Sequence, residues 1–422
     1  MITHYLKIAW RNLWKYKVQS VISMAGLAVC VLCFSICLYI CRLMWATDRC
    51  FPKKERIAEV VLNGPHGDFS GIPLDLLDKL RGMHSPAIEA FTYVAYPGNR
   101  SYEIEVKPDE MQPFAPLYCM EIDTCFRQVF GLEILAGSWE TATRTPNAII
   151  LSESTARRIY GEHYAEAVGK RMMTTAKLPF SKRKGGVAYT VQAVMTDIPI
   201  NNSLSYMSPL DLLVMNDSDG RMQAGAADEI TGAFGYVLLR DGDEREALEA
   251  DIHRRGLTHF MFSGEYQIRL HPLGYYFWKY STMTPIMWTV FAIGTLVLIV
   301  GLLNFFYFQA GLFLGRNREY SLRRVFGGSE AGLFRLLFTQ ALLTALLAFL
   351  PVFVLTEVWV PELQVAIGGL AVPIEASRLR WECAQYLLGV VACSGLVCLS
   401  IKSVARRAEP PHRHAGERIN TF

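Results

Sequence analysis

The 422-residue sequence lacks the patterns of a nucleotide-binding or hydrolytic site. The P-loop pattern Gly-x-x-x-x-Gly-Lys-Ser/Thr occurs nowhere; the nearest approach, Gly169-Lys170-Arg171, has neither the upstream glycine nor the hydroxyl. No serine lies in a Gly-x-Ser-x-Gly elbow, so a helix cap and turn residues explain Ser152, His163 and Asp197 better than a catalytic triad does. We therefore expect no enzyme activity on this chain, and no catalytic, cofactor-binding or metal-binding residue.

Charge is also missing from four long apolar runs, which are Val18–Cys41, Tyr280–Gly315, Leu336–Thr356 and Cys383–Ile401. A helix that crosses a bilayer needs roughly 20 such residues. The first run is too long for a signal peptide and no small-x-small cleavage site follows it, so it is expected to remain as an anchor. Since no charged residue lies within the runs, an ion-coupled carrier is not expected.

The basic residues near the runs predict the orientation. Lysines and arginines precede the first run, lie between the second and third, and follow the fourth. By the positive-inside rule both termini are cytoplasmic, and the long stretch between the first and second runs is external. The net charge of +3 is accounted for by these edges, so no nucleic-acid partner is predicted.

The chain is thus predicted to be an α-helical membrane protein with four transmembrane helices and a large extracytoplasmic α+β domain inserted between the first and second spans. The predicted segments are an interfacial amphipathic helix (1–17), the first span (18–43), the external domain (46–280), the second span (284–314), a cytoplasmic coupling helix (315–329), the third span (333–356), a short external loop (357–382), the fourth span (383–402) and a cytoplasmic tail (403–422).

In the external domain, strand patterns alternate with helix patterns. Strands are predicted at Ile57–Leu62, Ser101–Val106, Ala148–Leu151, Tyr189–Met195 and Tyr236–Arg240, and helices at Pro73–Leu80, Ser152–Tyr160 and Glu244–His259. Ser152 is expected to cap the helix that follows it. Cys119 and Cys125 are left open as a disulfide pair. The stripe Cys30, Cys33, Cys37 and Cys41 in the first span is interpreted as packing rather than metal binding.

The segment RNREYSLRRVFGGS (Arg316–Ser329) has more structure than a basic loop requires. On a helix, Glu319 and Arg323 form an i to i+4 pair, while Leu322, Val325 and Phe326 gather on one side. Gly327 and Gly328 end that helix, and Ser329 starts the next. The pattern predicts a short amphipathic helix at the cytoplasmic membrane edge. An ordinary positive-inside loop accounts for the arginines alone.

Three segments carry a resemblance to FtsX-like permeases of the MacB type. They are AIILSESTARRIYG (Ala148–Gly161), YTVQAVMTDIPINNSL (Tyr189–Leu204), where Asp197, Pro199, Asn202 and Ser203 fill a "D.P.NS" ending, and Arg316–Ser329. The last segment is similar to the ATPase-coupling segment of that family, although Tyr320, Phe326 and Gly328 depart from its pattern. Carried onto this sequence, the resemblance implies that an ATPase subunit contacts Arg316, Arg318, Glu319, Leu322, Arg323, Val325, Phe326, Gly327, Gly328 and Ser329.

The resemblance implies a permease subunit of an ABC transporter in the bacterial cytoplasmic (inner) membrane. ATP would be bound by a separate ATPase, the permease would be a homodimer or pair with a related permease, and membrane lipid and a periplasmic adaptor or outer-membrane component would be further partners. The complex would carry out export, efflux or lipoprotein handling by mechanotransmission. The open alternative is a membrane-anchored sensor, scaffold or cell-division-type regulator of envelope proteins without transport, which needs no coupling helix.

Overall fold

The computed structural model describes residues 2–107, 110–174, 187–205, 208–215, 233–261, 264–314, 330–366 and 375–407. Two compact units emerge. The membrane unit consists of residues 1–42, 286–367 and 373–422. The external unit consists of residues 43–285 with 368–372.

The membrane unit is helical in all its described parts. Its helices are α1 (Ile2–Lys15), α2 (Lys17–Trp45), α9 (Met283–Leu314), α10 (Glu330–Ala366) and α11 (Ala376–Arg407). Among the described residues, three helices are long and apolar enough to cross a membrane: α2, residues Thr284–Gly311 of α9 and residues Phe338–Val360 of α10. This matches the first three predicted spans, whereas the fourth stays a prediction.

The two later helices are longer than the sequence indicated. Helix α10 continues through Pro351 and Pro361 to Ala366, and α11 begins at Ala376, so much of the predicted 357–382 loop is helical. At the start of α11, Arg378 pairs with Glu382 at 3.7 Å, and Arg380 pairs with Glu357 of α10. These charges keep a helical backbone because each has an opposite charge nearby.

The external unit contains a large mixed sheet. Its strands are β1 (Ile57–Gly64), β2 (Gly67–Phe69), β3 (Ile88–Arg100), β4 (Tyr102–Lys107), β5 (Glu110–Pro113), β6 (Leu117–Ile122), β7 (Ile134–Gly137), β8 (Ala148–Ser152), β9 (Arg171–Thr174), β10 (Ala188–Met195), β11 (Leu212–Met215), β12 (Ala233–Leu239), β13 (Thr258–Met261) and β14 (Gly264–Pro272). The order is β13-β14-β1-β12-β3-β6-β11-β8-β10-β9-β4-β5, with β2 beside β1 and β7 beside β10.

Short helices flank the sheet. They are α3 (Leu74–Arg81), α4 (Phe126–Phe130), α5 (Trp139–Arg144), α6 (Glu153–Tyr160), α7 (Arg245–Arg254) and α8 (Tyr275–Tyr280). Strands β8 and β10 are parallel, as are β6 and β11, and α6 lies between β8 and β10 in the chain. The predicted mixture of strands and helices is therefore present, as an α+β domain.

The packing of the core on both faces of β8 explains why this strand is a continuous apolar run. Ala148 and Ile150 lie in one hydrophobic cluster of the sheet, and Ile149 and Leu151 lie in another. Successive strand side chains point to opposite faces, so a strand covered on both sides needs apolar residues at every position. The same alternation separates Cys119 from the cluster that contains Phe126, and Cys119 and Cys125 are free thiols rather than a disulfide.

One predicted helix extends too far at its C-terminal end. The Glu244–His259 pattern gives a helix only over Arg245–Arg254, and His259 lies in β13. Gly256 follows with φ of +65°, a left-handed conformation that ends helices and that glycine adopts without strain. The glycine therefore decides where α7 stops.

Candidate functional site

The ten residues predicted to contact an ATPase lie outside the described residues, in the segment that joins α9 to α10. The structure does describe the part of the external unit where the chain leaves α2 and later enters α9. Since the chain connects the membrane helices to the external domain through this region, we treat it as the candidate functional site.

The end of α2 is held by a side chain from a distant turn. The amide nitrogen of Asn201 donates to the carbonyls of Leu43 at 3.3 Å and Ala46 at 3.1 Å. The backbone N–H of Asp48 in turn donates to the carbonyl of Asn201 at 3.0 Å. Because the last carbonyls of a helix have no partner within the helix, Asn201 supplies hydrogen bonds that the helix end would otherwise lack. The turn after β10 thereby clamps the end of α2.

Asp48 makes the second contact with the same turn. Its carboxylate oxygen Oδ1 accepts hydrogen bonds from the backbone N–H of Ser203 at 2.7 Å and from the Ser203 hydroxyl at 3.0 Å. Its backbone has φ of +64°, a conformation that aspartate tolerates better than most residues. Burial raises the pKa of Asp48, and the hydrogen bonds from Ser203 oppose that rise.

The turn that receives Asp48 is internally fixed. The side chain of Asn202 donates to the carbonyl of Pro199 at 2.7 Å and accepts from the N–H of Ser205 at 2.8 Å. At the other end, Asp197 accepts from the N–H of Ser154 at 3.0 Å, in the first turn of α6. Ser152 caps α6 by accepting from the N–H of Thr155 at 3.3 Å, as the sequence predicted.

The entry to α9 is held by a second group of contacts, on α8. Asp68 in β2 accepts from the ammonium of Lys279 at 2.8 Å and from the hydroxyl of Tyr275 at 2.9 Å. Burial alone would raise the pKa of Asp68, but the hydrogen bonds from Lys279, Asn63 and Tyr275 lower it well below the ordinary value. The hydroxyl of Thr284, in α9, donates to the carbonyl of Trp278 in α8 at 2.7 Å. Helix α8 is thus tied both to the sheet and to the first turn of α9.

A third carboxylate lies beneath the start of α8. Glu59 of β1 is buried and accepts from the backbone N–H of Tyr276 at 3.2 Å. Burial raises the pKa of Glu59 to about 7, and the nearby charge of Asp48 adds to the rise. Its carboxyl group therefore changes protonation near neutral pH.

Asp48 is the point where the three segments meet. Gly274, which precedes α8, has φ of +83°, and a Cβ built there would lie 2.7 Å from Oδ2 of Asp48. One carboxylate thus contacts the turn through Oδ1 and lies against the start of α8 through Oδ2. We call the set Asp48, Glu59, Asn201, Ser203 and Gly274 the junction.

The junction holds backbone segments together rather than arranging reactive groups. Its polar atoms form hydrogen bonds with main-chain N–H groups, carbonyls and one hydroxyl, so the junction is a structural connection between chain segments. Within the described residues, no group of three or more His, Cys, Asp or Glu side chains could hold a metal ion.

In the membrane unit, the cysteine stripe of α2 packs closely on α9. A Cβ built on Gly294 would lie 2.6 Å from Cβ of Cys37, and one built on Gly301 would overlap Cys30. The thiol of Cys41 lies 3.6 Å from the carbonyl of Met287. Glycines allow membrane helices to approach this closely. Cys30, Cys37 and Cys41 of the stripe therefore pack on α9.

Sequence reasoning found part of the site and missed the rest. Asp197, Pro199, Asn202 and Ser203 were selected through the resemblance, and they do form the turn of the site. Asp48, Glu59, Asn201 and Gly274 were missed. The only local signals were an Asp shortly after an apolar run and a Gly between a strand and an aromatic segment. Neither pattern indicates which distant residue it will contact.

Comparison with known proteins covers most of the chain. Residues 20–255, more than half of the sequence, match the family model of the MacB-like periplasmic core domain. Residues 291–410 match the model of the FtsX-like permease C-terminal region, which spans the segment 316–329. A search of curated proteins finds no match.

Two solved structures are similar to about half of this chain. One is a domain described as a permease protein from Porphyromonas gingivalis, with 24% identity, a TM-score of 0.41, and coverage of 53% of this chain and 93% of that one. The other is the periplasmic region of MacB from Actinobacillus actinomycetemcomitans, with 12% identity, a TM-score of 0.33, and coverage of 50% and 88%.

Proposed function

Because this chain belongs to the family of FtsX-like permeases with a MacB-like periplasmic core domain, we propose that it is the permease subunit of an ABC transporter complex that transmits ATP-driven motion to its external domain. The observation that carries the proposal is the match of residues 291–410 to the permease C-terminal model, because the match includes the segment Arg316–Ser329. With no P-loop in the sequence, ATP binding and hydrolysis belong to a separate ATPase subunit.

The proposed complex contains two permease chains, either two copies or this chain with a related permease, and two ATPase subunits. Helix α11 is the fourth span in this proposal, and both termini and the 316–329 segment are cytoplasmic. The external partner is a periplasmic adaptor or an outer-membrane component, and the work is export, efflux or lipoprotein handling. Substrate need not pass through the permease if the motion itself does the work.

Force enters at the 316–329 segment and reaches the external domain along α9. This helix runs without interruption over Met283–Leu314, and a stiff helix carries displacement from one end to the other. At its first turn, Thr284 bonds to Trp278 of α8, and α8 is tied to the sheet through Asp68 and Glu59. Motion of α9 is thereby delivered to the sheet rather than lost in a flexible linker.

Helix α2 supplies the second connection. The glycines of α9 hold Cys30 and Cys37 of α2 in close contact, so the two helices are expected to move as a pair. The end of α2 is clamped by Asn201, and Asp48 joins that clamp to the start of α8. Two helices that push on one junction are able to tilt the external domain as a rigid body.

The test asks whether a variant loses its coupling to the ATPase while the external domain stays folded. The double variant Glu319→Ala and Arg323→Ala is compared with wild type for co-purification of an ATPase subunit in mild detergent, and for stimulation of its ATP hydrolysis. We expect both to fall at least tenfold, while the external domain keeps its hydrogen-exchange protection.

A matched control is available on the external domain. Glu153 and Arg157 form an i to i+4 ion pair of the same residue types, 2.9 Å apart on α6. Replacing both by Ala removes equal charge from a surface that the proposal places far from the ATPase, so association and hydrolysis should stay unchanged. Failure to recover any ATPase with the wild-type protein, or unchanged hydrolysis in the Glu319 and Arg323 variant, contradicts the proposal.

A further inference from the structure

Helix α1 presents three faces of different chemistry. One face is buried against α10 and contains Ala9, Asn12 and Leu13. Within it, the amide nitrogen of Asn12 donates to the side-chain oxygen of Gln340 at 3.3 Å, and both side chains are buried. Since a buried amide needs a partner, this pair fixes the rotation of α1 about its axis. The other two faces are therefore held in defined directions.

The second face is apolar and exposed. Leu6, Trp10 and Trp14 follow one another at i to i+4 spacing, and their side chains are 49%, 49% and 66% exposed. Two adjacent exposed tryptophans next to a leucine are unusual on a water-facing helix. Tryptophan prefers the boundary between headgroups and acyl chains of a bilayer. This face therefore suits a membrane surface.

The third face is basic, and nothing in the described chain neutralises it. Lys7, Arg11 and Lys15 are exposed at i to i+4 spacing, beside the tryptophan face. Among the described residues, none of the three forms an ion pair, although the ammonium of Lys15 lies 5.6 Å from the ring centre of Tyr16. By contrast, Arg378 and Arg380 at the start of α11 pair with Glu382 and Glu357.

We propose that α1 binds anionic phospholipid headgroups, with Leu6, Trp10 and Trp14 in the headgroup boundary and Lys7, Arg11 and Lys15 on the lipid phosphates. A zwitterionic surface would accept the apolar face, but it offers no net negative charge to the basic face. Three cations with no ion pair among the described residues, beside an inserted apolar face, therefore select anionic lipid.

The buried pair gives this binding a consequence inside the protein. Because Asn12 bonds to Gln340, a pull on α1 by the membrane surface acts on α10, the helix that follows the 315–329 segment in the chain. The anionic lipid content of the membrane would then bias the position of α10. The effect needs no ligand in the external domain.

The test uses full-length protein reconstituted into vesicles of phosphatidylglycerol and phosphatidylcholine in equal amounts. Bromine, which quenches tryptophan fluorescence on contact, is placed on the acyl chains of one lipid or of the other. The signal of Trp10 and Trp14 is the difference between wild type and the Trp10→Phe, Trp14→Phe variant. We expect the local ratio of anionic to zwitterionic lipid to exceed the bulk ratio roughly three- to tenfold and to fall towards it at high salt.

Three variants separate charge from fold. Lys7→Gln, Arg11→Gln and Lys15→Gln together should abolish the preference, whereas Lys7→Arg with Lys15→Arg should keep it. Arg378→Gln removes an arginine that is also exposed, at 60%, but is paired with Glu382, and this variant should keep the preference. Equal quenching by both brominated lipids in wild type, or an undiminished preference in the triple Gln variant, overturns the proposal.

Discussion

Replacing Gly274 by Ala tests whether the junction is as tightly packed as its geometry indicates. Gly274 has φ of +83°, and the added Cβ would lie 2.7 Å from Oδ2 of Asp48 and 3.6 Å from Cδ1 of Trp278. The left-handed backbone alone costs about 1–2 kcal/mol for a non-glycine residue. Pushing the buried Asp48 carboxylate aside adds about 1–3 kcal/mol, as other overpacked sites do. The substitution should loosen α8 without touching the membrane helices.

Gly256→Ala provides the matched control. Gly256 also has positive φ, at +65°, but a Cβ built there meets nothing within 4 Å. It should therefore show the backbone cost alone, and the difference between the two variants measures the contact with Asp48. Subtracting the control removes the contribution that any left-handed alanine would make.

Amide hydrogen exchange on the full-length protein gives local free energies of opening. The N–H of Trp278 bonds to the carbonyl of Gly274 at 2.9 Å and reports α8, while the N–H of Ser203 reports its bond to Asp48. The N–H of Gly256, bonded to the carbonyl of His253 at 3.0 Å, reports the control site at the end of α7. If Trp278 and Ser203 lose no more protection in Gly274→Ala than the α7 end loses in Gly256→Ala, the tight contact described for Asp48 is wrong.

Two further predictions concern the same site. In the folded state the pKa of Glu59 is about 7, against an ordinary value of 4.5, so the folded state holds this proton to higher pH. The free energy of opening of the junction should therefore fall by about 3 kcal/mol as the pH rises from about 4.5 to about 7. Glu59→Gln should remove most of this fall, and an unchanged pH profile of amide exchange in α8 contradicts the assignment. Asn201→Ala removes the side-chain donor to the carbonyls of Leu43 and Ala46, although Ala46 still accepts from the N–H of Arg49 at 3.1 Å, and it should cost about 1–3 kcal/mol of protection at residues 43–48. Asn201→Asp, which keeps the size but not the donor, should do the same; full protection in either variant would exclude the clamp.

Local sequence patterns were sufficient to predict the structure of segments whose own residues determine it. The uncharged runs predicted four spans, of which three match long apolar helices among the described residues, and the apolar run Ala148–Leu151 predicted a strand that is present as β8. The capping role of Ser152 followed from its place between a strand and a helix. In each case the residues that carry the signal are also those that make the structure.

The failures share a physical cause. Helix α7 is shorter than the predicted Glu244–His259, since Gly256 follows its end, and α10 extends past the predicted end of the third span at 356 to Ala366. The junction was beyond local reasoning: Asp48 and Ser203 are 155 positions apart, and no pattern near either specifies the other. Its members are brought together by the sheet, whose strand order cannot be deduced from the strands alone.

The contact between Asp48 and Gly274 also means that the external domain begins and ends at nearly the same place. Domains whose ends lie close together tolerate excision and exchange as a unit, and the external domain offers such cut points near residues 47 and 282. Circular permutation at the same point should likewise leave the sheet able to form.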